Sequence, residues 1–417
     1  MTAIGALIGL ALAIFLIIKK VNPAFALMAG ALAGGLAGGT GLTSVVAAMV
    51  SGVQDVAPAI VRVLAAGVLS GVLVVTGAAE TIANGVIRAM GERRVYAAMA
   101  LAAMLLTASG VFIDVAVITV APIALSAGRR LGLANSHLLL MMIGGGKCGN
   151  IVSPNPNTII AAENLGADLS SVMIANILPA IVGFIFTVWV IGAVLRRRNP
   201  QAQFGVHNAA APSEGLPSFL TAVAGPIVAI GLLILRPLFG ITVDPLVALP
   251  AGGLVGLIAM RKGAIVHKCL AYGIEKMGGV AVLLVGTGTI AGVIKASSIK
   301  DVLLNLLGQT SIGDRLIAPV SAMLMSGATA STTAGATVAS ASFGDAILAA
   351  GDSAVWGAAM INSGATVFDH MPHGSFFHAT AGVGEMSISG RLRLIPYESA
   401  IGFVLALSTF ICYLFIG

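Results

Sequence analysis

The stretch GGGKCGNIVSPNPNT, residues 144–158, lies inside a long apolar run and has a composition that a continuous helix does not tolerate. Proline removes a backbone donor and disfavours helix at the residue before it, while glycine relaxes the chain. A second such stretch, INSGATVFDHMPHGS, occupies residues 361–375. Non-helical backbone at membrane depth is tolerated only where protein or a water-filled cavity satisfies its polar groups. Both stretches therefore predict broken helices that line a binding site.

The rest of the chain has the composition of an integral membrane protein. Of its 417 residues, 58% are hydrophobic and only 9% are charged, and the mean hydropathy is +1.03. Apolar runs of about 15 to 25 residues without alternating polarity predict helical spans. The net charge of +6 comes from basic residues at the ends of these runs, without a basic patch interleaved with aromatic residues. This distribution argues against nucleic acid as a partner.

The two halves of the chain repeat each other. NPAFALMAG at residues 22–30 returns as DPLVALPAG at residues 244–252, and the Ser-Gly pair at 109–110 returns at 326–327 in the same order. Collinear landmarks of this kind are typical of duplicated transporter repeats. We predict a first repeat at residues 1–198, a cytoplasmic linker at 199–217 and a second repeat at 218–417.

Each half is predicted to contain five full crossings, and an odd number places the second repeat upside down relative to the first. A hairpin between the third and fourth crossings has arms shorter than the ~30 Å hydrocarbon core, which predicts that it is re-entrant. The fold class is thus an all-α polytopic membrane protein with two inverted-topology repeats. In the first half, the crossings are predicted at 3–18, 24–39, 56–77, 137–165 (broken) and 172–195, and the hairpin at about 95–128. In the second half, a hairpin is predicted at about 315–350, with its tip at 326–333, and a broken helix at about 353–385.

The distribution of positive charge predicts the orientation. With the N-terminus outside, sixteen Lys and Arg residues at the ends of the spans lie on the cytoplasmic side. Only Arg236, Lys295, Lys300 and Arg315 then lie outside, which satisfies the positive-inside rule. Residues 1–18 lack a basic n-region, which predicts a retained first span. We therefore expect both termini on the periplasmic side of a bacterial inner membrane.

Two hairpin tips and two broken helices are expected to converge near the midplane. Their helix N-termini present free N–H groups and positive dipole ends, which suit an anion such as a carboxylate. Each hydroxyl or amide also has a local alternative, because Ser and Thr often bond their own helix and Asn often caps one. The candidate substrate-binding residues are Thr107, Ser109, Lys147, Asn150, Ser153, Asn155 and Asn157 in the first half, and Ser326, Thr329, Ser331, Thr332, Asn362, Ser363, Thr366, His370 and His373 in the second.

Ionisable residues at membrane depth are costly and mark function. Asp114 follows the first hairpin tip, and Asp369 and His370 lie in the second break. These three are the candidate proton carriers, since histidine titrates near neutral pH. Lys147, in the first break, either attracts an anionic substrate or neutralises Asp114.

Other interpretations of the ionisable residues stay open. Asp369, His370 and His373 are equally suited to hydrogen-bonding the broken backbone, and the i, i+3 spacing of the two histidines also suits a metal. H-E-x-x-H is absent, so a membrane-embedded metal enzyme is the weaker alternative. Asp55 and Arg62, seven residues apart on one helix face, are predicted to form a structural ion pair with each other.

Three motifs resemble the GntP family of gluconate:proton symporters. FIDVAVITVAPI, residues 112–123, resembles an aromatic-acidic stretch of that family, with Asp114 where Glu is usual. NIVSPNPNT resembles its broken helix. FDHMPHGSFF, residues 368–377, resembles its F-x-H-V-N-D-P-G-F-W pattern, although Pro372 and His373 replace the Asn and Asp. The resemblance spans nearly the whole chain.

This resemblance implies proton symport of a small organic anion, either a gluconate-like sugar acid or a short hydroxycarboxylate, without a cofactor. By analogy with the larger ion-transporter superfamily, it also implies an elevator-type movement of a transport domain against a scaffold, within a homodimer. The predicted scaffold helices, 24–39 and 245–260, are glycine-rich enough to form the dimer face. A sodium-coupled carboxylate symporter is the nearest alternative, because unwound carbonyls and hydroxyls also bind sodium.

Overall fold

The structure, a computed structural model, describes residues 1–91, 94–198, 215–298 and 314–416, and within these ranges the chain is helical without strands. Most of the predicted linker, residues 199–214, lies outside the described residues. The first half contains α1 (Ala3–Ile18), α2 (Pro23–Ala37), α3 (Leu42–Val75), α4 (Ala78–Met90), α5 (Val95–Ala108), α6 (Ile113–Leu131), α7 (Asn135–Asn150), α8 (Pro156–Leu165), α9 (Leu169–Ala175), α10 (Ile177–Ile185), a π-helical segment (Phe186–Ile191) and α11 (Gly192–Arg198). The second half contains α12 (Phe219–Phe239), α13 (Pro245–Ala259), α14 (Val266–Lys295), α15 (Ile317–Thr329), α16 (Thr332–Ala349), α17 (Ala354–Gly364), α18 (Ser375–Val383), α19 (Ile388–Leu392) and α20 (Ile395–Ile416).

In the described part of the chain, five helical stretches are long and apolar enough to cross a membrane: Leu42–Val75, Leu169–Arg197, Phe219–Phe239, Gly263–Lys295 and Ile388–Ile416. Further apolar helices there have 10–17 residues, among them both arms of the first predicted hairpin. Helices of that length are shorter than the hydrocarbon core, about 30 Å thick. The described chain is therefore an all-helical, polytopic membrane protein, as the composition predicted.

One helix in each half of the described chain begins in the same way. The repeated Asn22-Pro23 and Asp244-Pro245 dipeptides play the same part in both halves. Asn22 caps α2 by accepting a hydrogen bond from Ala24 N, and Asp244 caps α13 by accepting one from Leu246 N. In each case proline occupies the first helical turn, where its missing N–H costs nothing. The inverted relation of the two halves to the membrane stays a prediction.

The crossing of α3 and α14 brings together the two longest helices of the described chain. Gly52 faces Gly288 and Gly292, and further along Gly67 faces Gly273. A Cβ on Gly292 would overlap the carbonyl oxygen of Ala48, so the two backbones touch directly. In a membrane such small-residue contacts drive helix association, because lipid offers no hydrophobic gain between helices. The helix that contains the predicted third crossing, 56–77, begins earlier, at Leu42, and the bounds of the crossing itself stay a prediction.

The contacts divide the helices into two groups. α1–α3 and α12–α14 pack mainly on one another, whereas α5–α8, α15–α17 and α20 form a second group. The groups meet where α8 contacts α3 and where α16 contacts α14. This second group contains both predicted breaks and both predicted hairpins.

The ion pairs of α3 correct the predicted pairing of Asp55 with Arg62, and one of them connects the two groups. Arg62 on α3 binds Asp244 at 2.7 Å and also binds Glu163 on α8. Asp55 instead binds Lys295 at 3.1 Å. The local prediction was wrong because it considered one helix alone, whereas α8, α13 and α14 bring oppositely charged partners to α3.

Substituting alanine at two glycines of α14 tests the close crossing. Gly292→Ala should destabilise the protein by about 1–3 kcal/mol, because its Cβ meets the backbone of α3. Gly278→Ala is the matched control, since its Cβ meets no atom within 4 Å of the described structure and alanine favours helix. Thermal unfolding of the purified protein in detergent measures both. Equal melting temperatures for the two variants would contradict the crossing.

Candidate functional site

The first break lies between α7 and α8, where the sequence predicted it. Asn155 holds its two ends together. Its Oδ1 accepts a hydrogen bond from Thr158 N at 3.1 Å and so caps α8, while its Nδ2 donates to the Asn150 carbonyl at 2.8 Å and to Asn150 Oδ1 at 2.5 Å. One side chain thereby satisfies orphaned groups at both ends of the interrupted helix.

The second break separates α17 from α18 and contacts the first. Asn362, in the last turn of α17, donates from Nδ2 to the Ile151 carbonyl at 3.1 Å and to Thr158 Oγ1 at 2.9 Å. Ser363 and Thr366 bond within their own segment: Ser363 Oγ donates to the Met360 carbonyl at 3.3 Å, and Thr366 Oγ1 to the Ser363 carbonyl at 2.7 Å. The amide of Asn362 therefore links the end of α17 to the first break and to the first turn of α8, segments that are far apart in the sequence.

A charged cluster lies at this junction. The ammonium of Lys147 donates to Asp369 Oδ1 at 2.5 Å, and it also donates to the Thr366 carbonyl in the second break. Lys147 is 0% exposed and Asp369 is 2% exposed. The other carboxylate oxygen of Asp369 accepts a hydrogen bond from Thr332 Oγ1 at 2.7 Å. The positive and negative charges are thus buried as a pair with further hydrogen bonds, which is the condition under which buried charge is tolerated.

His370 is the third member of the cluster and is fully buried. Its Nδ1 lies 3.0 Å from Asp369 Oδ1 and 3.2 Å from Lys147 Nζ. On the other side of the ring, Nε2 lies 3.2 Å from the Ile395 carbonyl and 3.1 Å from Ser399 Oγ, both on α20. The imidazole is therefore fixed between a charged pair and the first turn of α20. We call Lys147, Asp369 and His370 the buried triad.

The second hairpin covers the triad. Its turn is narrower than predicted, because α15 continues to Thr329 and only Ala330 and Ser331 separate it from α16. Ala330 has a φ of +49°, a left-handed conformation that is costly for a residue with a side chain. Ser331 caps α16 by accepting from Ala334 N at 3.2 Å, and the next residue, Thr332, contacts Asp369. The tip thus touches the triad directly.

Several hydroxyls of the two hairpins bond local carbonyls. Ser326 Oγ donates to Met323 O at 3.0 Å, Thr329 Oγ1 to Met325 O at 2.8 Å and Ser109 Oγ to Leu106 O at 2.7 Å. Thr107 Oγ1 reaches across to the Gly146 carbonyl on α7 at 3.0 Å. Asn157 joins α8 to the second hairpin, because its Oδ1 accepts from Thr333 Oγ1 at 2.6 Å. These contacts fix the walls of the site.

Two candidate residues lie apart from the triad. Asp114 is half-buried in the first turn of α6, close enough to Tyr272 of α14 to interact with it electrostatically. The ion partner of Lys147 is therefore Asp369, and the predicted alternative of Asp114 was wrong. Asp369 lies in the second break and contacts Lys147. No local sequence pattern could indicate this contact, because the two residues are far apart in the chain. His373 is exposed, and its Nε2 lies 3.1 Å from the Ala328 carbonyl, so it does not converge with Asp369 and His370 on a metal position.

Sequence reasoning missed three polar groups of the site. Thr158 and Thr333 lie in the quoted or predicted motifs, but their side chains were not singled out. A hydroxyl at the start of a half-helix was the available signal for both. Ser399, which contacts His370, follows no motif in α20, and only the tertiary packing identifies it.

Removing one charge of the triad tests the pairing. Lys147→Met should lower stability by about 3–5 kcal/mol, because it leaves the buried Asp369 carboxylate without its cation. Asp369→Asn together with Lys147→Met should recover most of that loss, since no buried charge then stays unpaired. Thermal unfolding of the wild type, both single variants and the double variant measures the coupling. Additive effects of the two substitutions would contradict the buried pair.

Comparison with known proteins adds an independent observation. The chain is 51% identical over 406 residues to a Haemophilus influenzae protein named "Uncharacterized transporter", and the match covers 97% of this chain and 96% of the relative. A Pseudomonas aeruginosa gluconate permease is 26% identical over 223 residues, and the match spans about half of each chain (52% of this chain, 49% of the relative). An Escherichia coli K12 low-affinity gluconate transporter is 27% identical over 188 residues (44% and 41%).

A solved structure shares the fold. The crystal structure of the Alcanivorax borkumensis YdaH transporter matches with a TM-score of 0.63 over 90% of this chain and 89% of that one, at 15% identity. At that identity the likeness concerns the fold alone. The family model of GntP family permeases matches residues 1–415, and its members are permeases, not enzymes. The chain therefore belongs to the GntP permease family.

Proposed function

We propose that the protein is a secondary active transporter that carries a small organic anion together with a proton across the bacterial inner membrane. The substrate class is a gluconate-like sugar acid or a short hydroxycarboxylate. The observation that carries the proposal is the buried triad at the junction of the two helix breaks. Family membership and the two gluconate-transporting relatives support the same substrate class.

Charge balance provides the physical argument for coupling. With a neutral imidazole, Lys147 and Asp369 cancel each other inside the protein. Adding one proton to Asp369 or His370 leaves a buried net positive charge, which is costly unless an anion joins it. A carboxylate beside Lys147 supplies that anion. Protonation and anion binding therefore stabilise each other, and by linkage the effect is reciprocal.

The contacts of His370 suit two protonation states. In the neutral form, Nε2–H donates to the Ile395 carbonyl while Nδ1 accepts from the ammonium of Lys147. In the protonated form, Nδ1–H donates to Asp369, so the carboxylate interacts with a second cation. Its ion pair with Lys147 is then weaker. Lys147 is then available to a substrate carboxylate. Asp114, at the N-terminal turn of α6, is the other candidate proton carrier.

Access to the triad requires movement, because its three side chains are buried. The tip of the second hairpin covers Asp369 through Thr332, so its displacement opens the site.

For the larger movement, we assign α1–α3 and α12–α14 to the scaffold and the second helix group to the transport domain. The Arg62–Glu163 ion pair connects the two and separates during an elevator-type cycle. A second copy packs on the exposed apolar faces of α2 and α13.

Uptake into proteoliposomes tests the proposal. We expect labelled D-gluconate to accumulate when an inward proton gradient is imposed without sodium. Asp369→Asn should abolish this accumulation, because the charge balance no longer depends on a proton, while gluconate exchange between the two sides continues. His378→Gln is the matched control on an exposed histidine outside the triad.

Two outcomes would contradict coupling through these residues. Accumulation that follows a sodium gradient and ignores pH would move the protein to the sodium-coupled alternative. Undiminished proton-driven accumulation by a variant combining Asp114→Asn, Asp369→Asn and His370→Gln would show that another group carries the proton.

A further inference from the structure

We propose that Ser153 Oγ and Asn362 Oδ1 form a subsite for a hydroxyl group of the transported anion. This inference rests on the proposed function and deepens it, because it names the atoms that distinguish a hydroxy acid from a plain carboxylic acid. Both residues belong to the junction of the two breaks, Ser153 in the first and Asn362 at the end of α17.

A chain of hydrogen bonds fixes which way the amide of Asn362 faces. Asn155 Oδ1 accepts from Thr158 N, so the Asn155 amide nitrogen must point toward Asn150. Thr158 donates its hydroxyl proton to the same Oδ1 at 3.3 Å and can only accept from Asn362. Asn362 consequently directs both amide hydrogens toward Thr158 and Ile151. Its Oδ1 faces the other way and has no hydrogen-bond partner among the residues that the structure describes.

The side chain of Ser153 also lacks a hydrogen-bond partner among the described residues. Its side-chain oxygen is buried and has no partner in the described part of the chain, and both Ser153 and Asn362 are 0% exposed. Most serines and threonines near the site bond a carbonyl of their own segment, as Ser363 and Thr366 do. A buried polar atom without a partner is costly, and native proteins retain few of them. Two such atoms at the junction of the breaks therefore point to a ligand.

The chemistry of the two atoms selects a hydroxyl. Asn362 Oδ1 is an acceptor only and repels a carboxylate oxygen, whereas Ser153 Oγ both donates and accepts. An alcohol group matches this pair, because it donates to Asn362 and accepts from Ser153. A metal cation is disfavoured because the Lys147 ammonium is already bound to the Thr366 carbonyl, four residues beyond Asn362.

The position of Lys147 relative to the subsite defines the substrate further. Lys147 and Asn150 lie within one turn of α7, and the first break begins immediately after them. In this proposal a carboxylate binds Lys147 and a hydroxyl of the same acid binds Ser153 and Asn362. A site built to hydrogen-bond a hydroxyl rejects the analogue that lacks it, because its buried polar groups are then left unpaired. The anion preferred here is one with a hydroxyl close to its carboxylate.

Ser153→Ala is the decisive variant because the side-chain oxygen holds no other described residue in place. Its stability should equal or exceed that of the wild type, since removing an unpartnered buried polar group is neutral or stabilising. Binding of D-gluconate and hexanoate to the purified protein in nanodiscs, measured by calorimetry, compares a hydroxy acid with an unhydroxylated acid of equal length. We expect the wild type to prefer gluconate and Ser153→Ala to reduce that preference roughly tenfold.

Two further variants sharpen the test. Ser321→Ala removes a buried hydroxyl that already bonds the Ala318 carbonyl of its own helix at 3.1 Å, and it should leave the preference unchanged. Asn362→Ala also removes the donors to Ile151 and Thr158 and lowers stability, so only the ratio of the two affinities is compared for it. This ratio should fall as it does in Ser153→Ala.

The outcomes separate this inference from the proposed function. If gluconate binds and Ser153→Ala leaves the gluconate-to-hexanoate ratio unchanged, the subsite is wrong while the anion transporter stands. Equal binding of both acids by the wild type would likewise overturn the subsite alone. If the wild type binds neither acid, the substrate class in the proposed function is wrong and the subsite is overturned with it.

Discussion

The contact between Lys147 and Asp369 is the constraint on which the site depends. Each charge by itself is too costly to bury at membrane depth, so neither break is stable in this form without the other. Because Lys147 lies in the last turn of α7, just before the first break, and Asp369 lies in the second break, the pair fixes the junction between the two halves of the chain. The hydrogen bonds of Asn362 and Thr332 to the same region follow from that junction.

The need to satisfy polar groups shapes the rest of the junction. A helix that stops in an apolar environment leaves several backbone groups without partners, and water does not reach them freely. At the first break, Asn155 donates a hydrogen bond to the Asn150 carbonyl. At the second break, Thr366 Oγ1 donates to the Ser363 carbonyl and the Lys147 ammonium donates to the Thr366 carbonyl. A side chain that already serves the backbone is less available to a substrate. Ser153 Oγ and Asn362 Oδ1 differ in this respect, because neither atom has a partner within the described chain.

The close-packed helices give the junction a rigid surrounding. At the crossing of α3 and α14, glycine allows the two backbones to touch, and at the crossing of α5 and α7, Gly145 does the same against Ala100. The first crossing belongs to the helix group proposed as the scaffold. The crossing of α5 and α7 positions Lys147, which lies on α7. The two groups are joined by the contacts of α8 with α3 and of α16 with α14, and by the Arg62–Glu163 ion pair.

Local chemistry within the sequence was sufficient to predict the helix breaks and the apolar helices, whereas the re-entrant path of the hairpins stays a prediction. Proline, glycine and long apolar runs restrict the backbone by themselves, so GGGKCGNIVSPNPNT and INSGATVFDHMPHGS identified both breaks. The partners of the charges were not predictable in this way. Lys147 was assigned two alternatives and Arg62 the wrong partner, because a side chain meets whichever helix the fold brings beside it. The tertiary structure decided that Lys147 meets Asp369, that Arg62 meets Asp244 and Glu163, and that Asn362 Oδ1 has no partner among the described residues. Backbone restriction acts over a few residues, whereas charge pairing and burial depend on contacts between segments far apart in the chain.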